Sequence, residues 1–217
     1  MPRACSPVRC VAAPSSIWRD RPLAGTGCAV LPTMTIALPG HQAPAVGFEV
    51  PLEMLAACHG RVQLQCETLL RLQDHLGKNG SDRAAQEAAA AVMRYFDSAA
   101  RHHHEDEEID LFAALLEAMA GSDAVCIREM IDVLRAEHRL LEAQWQGLRR
   151  SLNQVANGEP ATLDAAMLSG FVELYDRHIQ REEAELLPMA ARLLSDAELD
   201  RIGRAMRARR GLVDLGD

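Results

Sequence analysis

Aromatic side chains are scarce in this sequence: Trp, Tyr and Phe together supply 4% of its 217 residues. A core built without them must be aliphatic, and Leu, Ala and Met favour helices over strands, which draw on Val, Ile, Thr and aromatics. No apolar run approaches the ~20 residues that a membrane-spanning helix needs. A soluble, cytoplasmic protein with no membrane association is expected. Positive charge is in deficit, with 23 Lys and Arg against 31 Asp and Glu and a formal net charge of −8. That balance argues against a general nucleic-acid binder, whose footprint would be basic. Paired cysteines are missing too. Cys5, Cys10, Cys28, Cys58, Cys66 and Cys126 include no C-x-x-C spacing, and a chain of this length does not call for a disulfide framework. Cys58, Cys66 and Cys126 fall in helical patterns and read as reduced, small apolar side chains.

Proline is nearly absent after residue 51, yet Pro2, Pro7, Pro14, Pro22, Pro32, Pro39 and Pro44 crowd the start. They forbid a sustained helix over residues 1–48, which are expected to form an irregular, disordered tail. Arg3 and Arg9 precede a mildly apolar stretch, but Pro14 and Trp18-Arg19-Asp20-Arg21 interrupt it, against a cleaved signal. Met34 is an alternative start, with the upstream residues read from a misplaced initiation codon.

From Pro51 the pattern turns to long helices. Leu52, Leu55, His59, Val62, Cys66, Leu69 and Leu70 recur at three- and four-residue steps and predict a helix over 51–76, stopped by Gly77 to Gly80. A second helical region over 82–119 would be ~57 Å as one rod against ~39 Å for the first, so a bend or break is expected near Asp97 to Arg101. Gly121-Ser122-Asp123 then punctuates. The third helix, 123–155, aligns Ile127, Ile131, Leu134, His138, Leu141, Trp145, Leu148 and Leu152. The fourth, 161–193, aligns Phe171, Leu174, His178, Glu182 and Met189. Ser195-Asp196-Ala197-Glu198 is a capping box opening a short fifth helix, whose Arg201, Arg204, Arg207, Arg209 and Arg210 read as a solvated basic face. The expected fold is all-α: an antiparallel up-and-down four-helix bundle over 49–195, then a short C-terminal helix and tail over 196–217.

One motif is written twice. His103 is followed four residues later by Glu107 and then Glu108; His178 is followed four residues later by Glu182 and then Glu183. Residues i and i+4 share a helix face, so each pair aims an imidazole and a carboxylate at one point. The apolar stripes of the other two long helices carry His59 and His138. Burying four imidazoles and two carboxylates without an ion would cost several kcal/mol per charged group. A metal pair removes that cost, while hydrogen-bonded core histidines in a metal-free bundle are the bland alternative. Within His102-His103-His104, the pair in register with Phe96 and Leu111 is His103 with Glu107. His104 and Glu108 then fall to the rim, His102 faces solvent, and Glu105 and Asp106 read as an exposed charge run. His75 lies too far along the helix from His59 to share a centre, and His41 falls in the tail. Glu142, four residues after His138, is an extra ligand position or a core-edge salt bridge, and Tyr95 and Tyr175 are placed to donate hydrogen bonds to a metal-bound oxygen.

These residues resemble the hemerythrin-like, HHE-type cation-binding domain over about 50–195. The match rests on one histidine on the first helix, His-His-x-x-Glu-Glu-x-x-Leu-Phe on the second, Glu137-His138 on the third and His-x-x-x-Glu-Glu-x-x-Leu-Leu-Pro on the fourth. The resemblance implies His59, His103, Glu107, His138, His178 and Glu182 as ligands of two non-haem irons. Glu107 and Glu182 would bridge them beside an oxo or hydroxo group, and manganese is the other metal to weigh. Oxygen-carrying members place a second histidine where this sequence has Glu142, which argues against dedicated oxygen transport. The set resembles more closely the di-iron proteins of nitrosative stress and iron–sulfur repair, and iron- or oxygen-sensing relatives. The repair proteins add an N-terminal paired-cysteine domain that has no counterpart here. The implied function is binding of, or reaction with, O2, NO or peroxide in sensing, scavenging or iron homeostasis, more as a sensor than as a dedicated enzyme. The alternative is a metal-responsive regulatory protein without gas chemistry, its protein partner unknown.

Overall fold

The structure, a computed structural model, describes residues 47–118 and 124–212, which lie within one compact unit, Thr35–Asp217. The expectations for the tail up to residue 46, with Cys5, Cys10, Cys28, Met34 and His41, and for the Gly121-Ser122-Asp123 break fall outside the described residues. All regular structure among the described residues is helical, in five helices.

The first helix, Pro51–Asn79, opens on a proline, whose missing N–H costs nothing in a first turn. It passes through Gly77, where the sequence predicts a stop, and ends at Gly80. There a φ of +67° turns the chain and the N–H donates back to the Leu76 carbonyl. Asp82 caps the second helix by accepting from the Ala85 N–H at 2.9 Å. That helix runs continuously over 83–118. Where a bend or break is predicted near Asp97, the backbone widens into a π segment, Phe96–Ala100, and a second follows at Asp106–Leu111. The third helix is Ala124–Ala156. The fourth covers 165–193 and holds a π segment at Glu182–Leu186. It begins four residues later than predicted, because Asp164 rather than the end of the proline loop supplies the cap, accepting from the Met167 N–H at 2.8 Å. The fifth, Asp196–Arg209, starts at Ser195 with both bonds of the expected capping box.

The first and third helices each pack against the second and fourth. Their apolar faces build two clusters rather than one. Leu69, Val92, Phe96, Trp145, Phe171 and Tyr175 belong to one; Leu55, Phe112, Ile131, Leu134, Leu186 and Met206 belong to the other. Each long helix crosses between the clusters at one histidine. The first runs Leu55, His59, Val62; the second Ala100, His103, Leu111; the third Leu134, His138, Leu141; the fourth Leu174, His178, Leu186. The order alternates along the chain, so successive helices traverse the two clusters in opposite senses. Each buried Leu or Phe stabilises the fold by roughly 1.5–3 kcal/mol, and that apolar gain holds six polar side chains between the layers.

The fifth helix inserts Ile202 and Met206 into the second cluster. A Cβ at Gly203 would lie 2.1 Å from the Phe48 carbonyl oxygen, so only glycine allows this close passage. Two expectations are corrected here. Asp106 is not part of an exposed charge run but fully buried, and Arg209 and Arg210 are not a solvated face. Both guanidiniums close on Asp106, Arg210 at 2.6 Å, and Arg209 also reaches Asp110 at 2.6 Å. Burial still holds the Asp106 carboxyl above its ordinary range against those two positive charges. Cys58 and Cys66 are buried as expected, with burial raising the Cys66 thiol to about 12; Cys126 is exposed instead.

Candidate metal centre

The polar layer between the clusters contains His59, His103, Glu107, His138, His178 and Glu182, all buried. Each arrives from a different point in the chain. His59 is in the first half of the first helix and His138 mid-way along the third. His103 lies between the two π segments of the second helix, and His178 four residues before the start of that of the fourth. Both glutamates are inside π segments, Glu107 as the second residue of one and Glu182 as the first of the other. A π turn bonds i to i+5 and so re-aims the side chains within it. In the second helix consecutive residues are buried, Glu107 in the polar layer and Asp106 under Arg209 and Arg210 of the fifth helix. Nothing in the apolar periodicity announces this.

The six side chains converge. His103 Nε2 lies 3.3 Å from Glu107 Oε1, and His178 Nε2 lies 3.2 Å from Glu182 Oε1. Between helices, His59 Nε2 is 3.0 Å from Glu182 Oε2 and His138 Nε2 is 3.3 Å from Glu107 Oε2. Despite this closeness, all four carboxylate oxygens and His59 Nε2 are buried without a hydrogen-bond partner. They point toward common centres rather than along one another's bonds, as donors around a cation do. Two four-donor sets result: His59, His103, Glu107 and Glu182 in one, Glu107, His138, His178 and Glu182 in the other, each with its donor atoms within 4.8 Å. Both glutamates belong to both sets. Imidazole nitrogen with carboxylate oxygen suits iron or manganese, and orphaned buried oxygens are what a bound cation would satisfy.

Behind this layer stand carboxylates that orient the rings. Glu108 lies 2.7 Å from His138 Nδ1, Glu137 lies 3.0 Å from His178 Nδ1, and Glu183 lies 3.1 Å from His59 Nδ1. A proton held on Nδ1 by a carboxylate leaves the Nε2 lone pair facing inward, as a metal ligand requires. It also leaves His138 Nε2 and His178 Nε2 facing each other at 3.1 Å, an arrangement a cation relieves. Arg181 in turn holds Glu137. His103 lacks such support, its Nδ1 buried without a partner. The second glutamate of each repeated pair thus braces a ring on a neighbouring helix. The repeat itself flags Glu183 as the equivalent of Glu108; Glu137 is visible only as the neighbour of His138.

The electrostatics express the same crowding. Burial opposes a charged His59, but the carboxylates of Glu107 and Glu182 outweigh it and lift the ring to about 10. His138 follows, lifted to about 9 against burial by Glu107 and Glu108. His103 is driven down to about 3 by burial, which Glu107 only partly offsets. Burial and the Glu107 charge raise Glu182, whereas Glu107 overcomes burial through His103, His138 and His59 and stays well below the carboxylate range. The two carboxylates resist carrying two charges side by side unless positive charge is added.

The remaining sequence candidates are placed as follows. His104 and Glu108 stand at the rim, half-buried; the His104 ring stacks on His138 at 4.1 Å, and burial pushes it well below the ordinary histidine value. Glu142 is exposed and accepts from Gln146 at 2.7 Å. The Tyr95 hydroxyl donates to the Cys58 carbonyl rather than into the centre. Tyr175 is buried beside His104, ring centroids 6.1 Å apart. His75 caps the helix junction away from the centre, 2.9 Å from Asp82. No helix among the described residues is long and apolar enough to cross a membrane.

Comparison with known proteins agrees with this geometry. A family model described as Hemerythrin HHE cation binding domain matches residues 50–190. An uncharacterized protein of Haemophilus influenzae is 35% identical over 160 residues, covering 74% of this chain and 90% of the relative.

Proposed function

This chain belongs to the hemerythrin HHE cation-binding domain family, and from that premise we propose that it is a cytoplasmic non-haem di-iron protein that binds or reacts with O2, NO or peroxide. Its role is sensing, scavenging or iron homeostasis. The observation that carries this reading is the sharing of Glu107 and Glu182 between two four-donor sets. In this reading the four long helices form an antiparallel up-and-down bundle over 49–195, closed at one end by the fifth helix. His59 and His103 would hold one iron and His138 and His178 the other, with Glu107 and Glu182 available to both. Manganese suits the same donors. When bound, the pair supplies redox change and an open coordination position for a small molecule. The protein's own part is to fix ring tautomers through Glu108, Glu137 and Glu183, to neutralise the cations with two carboxylates, and to exclude bulk water with the apolar clusters.

Metal quantification with optical spectra, first anaerobic and then with O2 or NO added, tests this. Roughly two irons per chain are expected for such a bundle, with a visible band that responds to the added gas. Two irons with no response would leave a metal protein and remove the gas chemistry; protein from iron-rich medium without metal would remove both. A second reading, a metal-responsive interaction protein, is favoured by one observation. Asp106, clamped by Arg209 and Arg210, directly precedes Glu107, so a change at the metal reaches the fifth helix. Metal-dependent partner or oligomer exchange without gas reactivity would select it.

A further inference from the structure

We infer that the groove between the second and third helices is the entrance for a small hydrogen-bond-accepting ligand to the His138–His178 metal position, and that His104 holds the bound ligand through its ring nitrogen. The inference rests on the metal-pair reading above and assigns a side and a residue that the reading leaves open.

The groove has a cavity volume of about 630 Å³; Arg101, His104, Glu105, Glu108 and Ile109 line it from one helix and His138, Arg139 and Glu142 from the other. It therefore connects solvent to His138 of the second donor set. Its rim sets Arg101 and Arg139 against Glu105, Glu108 and Glu142, so no positive field draws an anion in and hydrogen bonding inside the groove has to hold it. His104 stands at the junction of groove and metal layer. One of its ring nitrogens lies within 4.8 Å of those of His138 and His178, and its Nε2 is buried with no hydrogen-bond partner. A buried polar atom of this kind is costly unless something satisfies it.

The orientation of the ring decides what that something is. His104 and His138 lie nearly parallel, 14° apart at 4.1 Å, whereas His178 crosses His138 at 70° and His104 at 81°, so it is the stacking on His138 that keeps His104 from sharing one ion with both. Nitrogens of crossed rings can aim at one point, but those of stacked rings lie side by side. His104 thus addresses the space next to the ion that His138 and His178 would hold. A molecule bound there places its outer atom against the His104 nitrogen. Glu142, on the opposite wall of the groove beside His138, is exposed and bonded to Gln146, so it does not compete for that space.

Azide is a suitable probe, since its two ends can meet a metal and a hydrogen-bond donor at once. Iron-loaded full-length protein, its metal content measured, is titrated with sodium azide by visible absorption, with association and dissociation followed by stopped flow. His104→Phe keeps a ring against His138 but removes both nitrogens. It should retain the wild-type metal content and bind azide about tenfold more weakly, as expected for one lost hydrogen bond to a charged ligand. Ile109→Trp, at the exposed mouth of the groove, should slow association and dissociation severalfold with the affinity unchanged. Loss of about one metal in His104→Phe would make His104 a ligand and overturn the inference. Wild-type azide affinity in His104→Phe would overturn the contact, and unchanged rates in Ile109→Trp would overturn the entrance. Wild-type protein without metal would overturn the metal-pair reading and this inference with it, whereas the other failures leave that reading intact.

Discussion

The two donor sets share both glutamates, yet their histidines are held differently. His138 and His178 are each braced at Nδ1, by Glu108 and Glu137, and His138 borders an open groove. On the other side only His59 is braced, by a Glu183 that is half exposed, and His103 Nδ1 is buried without any partner. One position has both rings braced and borders the groove; the other has one ring braced. Orientation by a carboxylate raises ligand basicity and removes the cost of ordering the ring on binding. The braced side is therefore expected to take its ion more tightly, and the difference can be tested from its coarsest consequence to its finest.

Replacing a shared residue should erase the comparison. Glu107→Ala or Glu182→Ala is expected to lose both ions, bringing metal content by elemental analysis from roughly two per chain to near zero. In wild-type protein, chelation should lower the melting temperature, since an ion at a hundredfold its Kd contributes about 2.7 kcal/mol; in either variant the chelator should do nothing. A variant that keeps one full equivalent of metal would show that the carboxylate is not shared.

Replacing a histidine should separate the sides. His103→Ala and His138→Ala are each expected to retain about half of the metal, by the same two-ion count, with competition against a coloured chelator giving the affinity of the ion left behind. The survivor in His103→Ala should be the tighter of the two. His102→Ala should change nothing, and a loss there equal to that in His103→Ala would place the wrong histidine in the layer. A finer test replaces the bracing groups. Glu137→Gln and Glu108→Gln should weaken one ion by about 10- to 100-fold and leave the other alone. Equal weakening of both ions would mean that the two positions do not bind independently.

The smallest expected effect lies outside both positions and serves as their control. Asp97 pairs with Arg149 at 2.9 Å and accepts from Trp145, contacts that together hold its carboxyl below the ordinary value against the opposing effect of burial. Asp97→Asn should cost about 0.5 kcal/mol at neutral pH, the scale of a partly exposed pair, without touching metal content. Because the folded carboxyl titrates below the unfolded one, this contribution is complete above the unfolded value. It fades as pH falls through the folded one. Melting curves of the variant and wild type should therefore converge in acid; a gap that widens there would reverse the sign.

Much of this layout can be read along the chain, and the parts that cannot have a common cause. Four histidines stand on apolar stripes of helical period, so His59, His103, His138 and His178 are recognisable as inward-facing, and Glu107 and Glu182 follow at i+4. The i+4 rule assumes a regular helix, however, and both glutamates sit where the helix is π. Asp106, beside Glu107, reads as surface but is covered by the fifth helix. Its partners, Arg209 and Arg210, lie more than a hundred residues away, and no local pattern can announce a pairing at that distance. Glu183 is legible by analogy within the repeat. The fourth helix starts at 165 and not at 161 because an Asp164 cap outweighs the apparent continuity of apolar residues from 161.

Dividing the core into two apolar clusters has a consequence for how the protein breathes. A continuous core opens as one unit, but here a plane of six polar side chains interrupts it, and the two π segments that carry Glu107 and Glu182 lie in that plane. Amide hydrogen exchange reports local opening as a free energy, residue by residue. Without an ion, the amides around Glu107 and Glu182 should exchange well before those flanking Leu69 or Phe112. With the ion bound, protection should equalise across the plane, making the metal the element that joins two half-cores into one cooperative body.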